Sequence, residues 1–263
     1  MKALPAVALL GLALSQPVLA QNAEADTYAV NNAISALYHE MGHLFVDQFE
    51  LAILGGEEGV ADAIATLMLL EDGPGAEQIS IDTVDGYLRS SELYGEADGE
   101  NVDFNDEHGL DVQRAFQMTC LLVGASPEAF GEVADEVGLD AVRQDACADE
   151  YGLARRGWGR MMAAHKARAG QDTPFTVVYD RAEDRYAPME KLLKSEQVLE
   201  AVADRVAASF RLVRPATLRA TSCGEENAFY DPEADEITLC YEYVQFYYDL
   251  IANPDQAGME HEG

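Results

Sequence analysis

His39-Glu40-Met41-Gly42-His43 places the tightest constraint on this chain. It reads H-E-x-x-H and lies inside a stretch, Glu24 to Glu50, whose apolar residues recur at helical spacing. Two histidines four apart on a helix rise from one face, so their ring nitrogens can converge on one ion. Glu40 projects about 100° away around the axis, where it can serve a water beside the ion rather than bind the ion itself. Val30, Ile34, Leu37, Met41, Leu44 and Phe45 form an apolar stripe, and His39 and His43 fall nearly opposite it with Asn32, Ala36 and Val46. The helix is expected to give one face to a core and another to a site.

A hydrolytic zinc takes three protein ligands and leaves a position for water, so two histidines need a third partner. After an expected turn at Ala52 to Gly56, a second helix is predicted over Glu57 to Glu71. Glu58 and Asp62 stand at i and i+4 on one face of it. Glu58 can complete a two-histidine, one-glutamate set. Asp62 can accept the free ring N–H of a ligand histidine and so fix its tautomer. Glu57 projects about 100° away, on the side of Val60 and Ile64, and is set aside. The plain alternative is that both glutamates are first-turn acids favoured by the helix dipole. Glu40 fits a general base that takes a proton from water and passes it to a leaving amine. His108 and Tyr151 are candidates for stabilising transition-state charge. Arg114 is expected to pair with Asp111 on its own helix. His165 and His261 are given no role.

The surface is strongly acidic: 48 Asp and Glu against 17 Lys and Arg give a net charge of −31. Such a surface disfavours nucleic acid and anionic membrane as partners. Residues 1–20 combine Lys2, an apolar run from Ala3 to Leu14 and small residues before Gln21, the pattern of a secretory signal peptide. The run is too short to span a bilayer. Export, to periplasm or medium, is therefore expected. In that compartment Cys120, Cys147, Cys223 and Cys240 are expected to pair as two disulfides. The local pairings Cys120–Cys147 and Cys223–Cys240 are favoured, each contributing about 3 kcal/mol.

Further along, Gly95 to Gly109 reads as an acidic loop, and Asp98 to Glu107 within it fails the calcium-loop template. Helices are predicted over Asp111 to Val123 and Pro127 to Val137. Another spans Asp140 to His165, interrupted near Gly152 and Gly157, and a fourth covers Pro188 to Phe210. Phe175 to Tyr179 reads as a strand. Asn227 to Tyr230 and Glu236 to Tyr241 read as a hairpin stapled by Cys223 and Cys240. The aromatic run Tyr241 to Tyr248 suits core packing. Ala169 to Pro174 is the expected linker between a helical metal-site region, 21–168, and a C-terminal α/β region, 169–263, with a single domain embracing both as the alternative.

The stretch LYHEMGHLFVDQFELAILGGEEGVADAIATLMLL resembles the gluzincin arrangement of HExxH with a downstream ExxxD. With DEHGLDVQRAFQMTCLLVGASPEAF and CGEENAFYDPEADEITLCYEY, it resembles a bacterial metallopeptidase-type family bearing a domain of unknown function. The resemblance implies one zinc held by His39, His43 and Glu58, with Glu40 as catalyst. Zincin folds commonly place a sheet with a substrate-binding edge strand before the HExxH helix. Here the C-terminal hairpin is the candidate for that sheet. The expectation is a mainly helical α+β, zincin-like fold that hydrolyses peptide bonds of peptide or protein substrates. The alternative is a zinc-bearing peptide-binding or scaffold protein without turnover.

Overall fold

The computed structural model describes residues 17–95, 106–168 and 175–254, with side chains from residue 23 onward. The first 16 residues of the signal segment, most of the acidic loop, the linker at 169–174 and His261 lie outside the described residues. The fold is a mainly helical α+β arrangement with one four-stranded sheet.

Helix α1 (Pro17–Gln48) is the axis of the molecule. Its core face is wider than the expected stripe and shifted around the axis. Val30 and Ile34 of the stripe are half-buried, whereas Tyr28, Ala29, Ala33, Ala36 and Tyr38 outside it are buried. Around α1 pack α2 (Glu57–Asp72), α3 (Glu77–Leu93), α8 (Val198–Ser209), α9 (Tyr241–Ala252) and the sheet. A helix apolar on most of its circumference belongs in an interior, and its alanines let neighbours come close.

Three further helices cover the other side of α2 and α3. Helix α4 (Asp111–Ala125) is followed by α5 (Pro127–Val137) and α6 (Ala141–Met161). Pro127 opens α5, and Gly138 closes it at φ 91°, a left-handed conformation suited to glycine. Helix α6 runs unbroken through Gly152 and Gly157, correcting the expected interruption. Buried Cys147 and Trp158 anchor it, and that packing outweighs a helix cost of about 1 kcal/mol per glycine. The Cys120–Cys147 disulfide ties α4 to α6.

The expected long helix over Pro188 to Phe210 is instead two, α7 (Ala187–Ser195) and α8. The break is at Gln197, which is left-handed at φ 52°. Glutamine has no preference for that region, so its sequence carries no sign of the break.

The sheet contains β1 (Phe175–Tyr179), β2 (Ala216–Thr221), β3 (Ala228–Asp231) and β4 (Glu236–Cys240), in the order β1-β2-β4-β3. The first three in that order are parallel, and β3 joins β4 as an antiparallel hairpin at the sheet edge. Cys223 and Cys240 are bridged beside it. Cys240 N–H donates to the Asn227 carbonyl at 3.0 Å. By the alternation of an antiparallel ladder, Phe229 and Asp231 then direct their backbone groups to β4, and Ala228 and Tyr230 direct theirs to the outer edge. Helix α9 follows β4 directly and buries Tyr241, Phe246 and Tyr247, the packing use expected of the aromatic run. Residues on both sides of 169–174 share one apolar core around α1. Among the described residues no helix is long and apolar enough to cross a membrane.

Candidate metal centre

The centre lies where α1 crosses α2. A Cβ on Gly42 would sit 2.8 Å from Ala61 Cα, so only glycine allows the two backbones this approach. The crossing sets the first turn of α2 against the HEMGH turn of α1. There His39 Nε2 is 3.0 Å from Glu58 Oε2 and 3.2 Å from His43 Nε2, and His43 Nε2 is 3.3 Å from the same Glu58 oxygen. Donors held about 2.0–2.1 Å from a tetrahedral zinc stand roughly 3.3 Å apart. Two imidazoles and a carboxylate in a triangle of nearly that size fit such an ion in both chemistry and spacing.

Each imidazole is held from behind. His39 Nδ1–H donates to Asp62 Oδ1 at 2.7 Å, and His43 Nδ1–H donates to Glu57 Oε1 at 2.8 Å. With Nδ1 held, Nε2 of each ring is aimed at the shared point. Glu57, set aside as a third ligand, is not in the triangle but supports it from behind. Helical projection places its Cβ away from the site, but a flexible side chain at the start of α2 reaches back to the Nδ1 side of the His43 ring, which Glu58 does not touch. Asp62 is itself clamped: Arg114 Nε donates to its Oδ2 at 2.9 Å and Nη2 to its Oδ1 at 2.8 Å. Arg114 also lies 3.6 Å from Asp111, the expected partner, so the salt bridge forms but is the looser of the two.

His108 stands just before α4. Its Nε2 is 2.9 Å from Glu58 Oε2, and its backbone N–H donates to Asp106 Oδ1 at 2.8 Å. Its side chain is half exposed, and its ring stands 5.9 Å from that of His39. Tyr151 does not come near. It sits on α6 against Gly124 and lines a separate cavity with Leu70 and Phe130. His165 stacks on Phe49, with ring centroids 3.9 Å apart, away from the centre.

The electrostatics follow from this crowding. Burial pushes the Glu40 carboxyl up to about 7, against the opposing pull of His39 and His43. Burial opposes ionisation of Glu58, but bonds from His108, His39 and His43 outweigh it and hold the carboxyl far below its usual range. Burial would lower His43, yet its bonds to Glu58 and Glu57 carry it up to about 9. Asp62 is held well below its usual value: burial is outweighed by the Arg114 charge and the His39 bond.

Two cavities open on the centre, of about 350 and 500 Å³, and Glu40, His108, Asn227 and Ala228 line both. Glu40 is only 6% exposed and stands where they meet. Edge strand β3 therefore runs beside the HEMGH helix, past Glu40, from one cavity to the other.

A mainly helical α+β protein with an HEMGH helix, a glutamate on the next helix and acceptors behind both imidazoles has the plan of a metallopeptidase. The family model described as "Putative metallopeptidase" matches residues 13–162 and 179–262, and the chain belongs to that family. No curated protein and no solved structure matches the chain.

Proposed function

We propose that this protein is an exported, zincin-like metallopeptidase that holds one zinc ion through His39 Nε2, His43 Nε2 and Glu58. The observation that carries the reading is the triangle of three donor atoms, with Asp62 and Glu57 fixing the tautomers behind it. The signal-type N-terminus and the two disulfides support export. A bound zinc supplies Lewis acidity that polarises a substrate carbonyl and eases deprotonation of water.

The remaining steps belong to the chain. Glu40, with its carboxyl tuned close to neutrality by burial, takes the proton of the attacking water on a carboxylate oxygen and delivers it to the leaving amine. His108 Nε2–H donates to the carbonyl oxygen as negative charge gathers there. Arg114 clamps Asp62, which keeps the His39 ring oriented. An extended peptide adds to the outer edge of β3 by pairing with the backbone groups of Ala228 and Tyr230, which lays its scissile bond across Glu40.

The test separates binding from turnover. Purified protein should carry about one zinc per chain by elemental analysis, and His43→Ala should lose it. Glu40→Gln should keep the metal and stop cutting a peptide library. A wild type that holds zinc yet cleaves no peptide, ester or glycan would instead favour a peptide-binding or scaffold role.

A further inference from the structure

Resting on the peptidase reading, we propose that the 350 Å³ cavity beside Glu40 is a specificity pocket for a lysine or arginine side chain adjoining the bond that is cut. A substrate side chain placed beside the reacting carbonyl must enter one of the two cavities that open on Glu40. This one is walled by α3, α9 and the start of α4. Its walls carry the rings of Tyr87, Tyr94, Tyr243, Phe246 and Tyr247. Ring faces attract cations, guanidinium most readily. The wall already displays that affinity: the Arg114 guanidinium lies over Tyr87, 4.4 Å from the ring centroid.

The charge in the cavity points the same way. Glu40, Asp106, Asp111 and Glu226 line it, against Arg114 and the imidazoles of His39 and His108. Arg114 is committed to Asp62 through two hydrogen bonds, so its charge is already balanced from behind the wall. Glu226 stands at the start of the hairpin, where it accepts from the Tyr94 hydroxyl at 3.1 Å and joins the aromatic wall to the edge strand. A glutamate side chain would meet like charge here. A phenylalanine would gain the ring contacts but no attraction to the acidic groups. Lysine and arginine satisfy both features. A volume of this size lies at the small end of binding sites and suits one side chain rather than a folded segment.

The test uses two readouts. Cut sites made by zinc-loaded wild type in an equimolar peptide library are mapped by mass spectrometry. Fluorescein-labelled peptides differing at one position (Arg, Lys, Phe or Glu) are titrated onto Glu40→Gln, and binding is read by anisotropy. Expected are cuts concentrated beside Arg and Lys, and binding of the Arg peptide at least tenfold tighter than the Glu peptide. Glu226→Gln should shrink the Arg-over-Phe ratio several-fold without changing zinc content, and Asp111→Asn should shrink it as well. Cleavage with no basic preference, or with an aromatic one, overturns the pocket and leaves the peptidase reading standing. Selective binding of Arg peptides without any cleavage supports the pocket and sinks the catalytic reading. Neither cleavage nor binding overturns both.

Discussion

The two imidazoles of the centre are held by acids of very different standing, and that difference is measurable. Asp62 is 17% exposed at its side chain, receives His39 and carries the whole bidentate load of Arg114, itself 15% exposed. Glu57 is 45% exposed and holds His43 alone. Asp62→Ala should cost up to about 3 kcal/mol of metal-free stability, because it leaves a buried guanidinium with only its looser Asp111 contact and the Tyr87 ring. It should also weaken zinc about 10–100-fold, because it frees a ligand ring. Glu57→Ala should weaken zinc by a comparable factor and leave metal-free stability within about 0.5 kcal/mol. Urea unfolding of the apo protein and competitive zinc titration read the two effects separately. Equal stability losses would mean that Asp62 is not the buried anchor described here. The sequence paired His39 with His43 and Glu58 with Asp62, because an i, i+4 relation is local. It hid Glu57, whose role depends on how two helices cross. It also hid the main partner of Arg114, 52 residues away.

At the scale of elements, the centre exists because α1 and α2 nearly touch. Helix propensity alone predicts that Gly42→Ala gains up to about 1 kcal/mol. The crossing predicts the reverse, since the new methyl would sit 2.8 Å from Ala61 Cα and 3.1 Å from its Cβ. The expected result is a loss of about 1–3 kcal/mol, as for other overpacked contacts, with weaker zinc as Glu58 is pushed outward. A stabilised variant with unchanged zinc affinity would rule out the tight crossing. A second junction ties the β3–β4 turn to α1: Asp235 accepts from Arg214 and Gln48, and Arg214 also donates to Asp47. The Arg214 bonds hold the Asp235 carboxyl below its usual 3.8. A carboxyl lowered in the folded state stabilises above its unfolded value and loses that contribution as pH falls through the folded one. Hydrogen exchange at the paired amides of Phe229 and Asp231, corrected for intrinsic rate, should be faster in Arg214→Ala than in wild type at pH 5. The difference should shrink as pH falls below 3.8 and through the lowered folded value; if it did not shrink at all, the ion pair would not be what holds the strand. What the sequence left hidden at this scale is physical as well. Strand β2 buries Ala216, Leu218 and Ala220 in strict alternation, yet two of the three are alanines, too small to announce a strand. Helices α3 and α9 gain their stability from packing on α1, and a polar sequence or an aromatic-rich one gives little local sign of that.

For the molecule as a whole, the dominant long-range term is self-repulsion. With 48 acidic and 17 basic side chains, most carboxylates cannot find a cation. The exposed pairs that do form are worth about 0–1 kcal/mol each. Net charge of this size works against the compact state, and salt screens it. The screening length falls from about 30 Å at 0.01 M to about 8 Å at 0.15 M, well inside the span of a domain this size. The melting temperature should therefore rise by several degrees over that interval and flatten above it. The rise should shrink at pH 4.5, where part of the carboxylate charge is neutralised. Binding of a cationic peptide to the acidic cleft depends on the same field with the opposite sign, so added salt should weaken it. Calorimetry and anisotropy over one sodium chloride series then give slopes of opposite direction. A melting temperature that falls with salt would show that attractive pairs outweigh repulsion. Peptide binding indifferent to salt would remove the electrostatic basis for a cationic substrate, even while the fold behaved as expected.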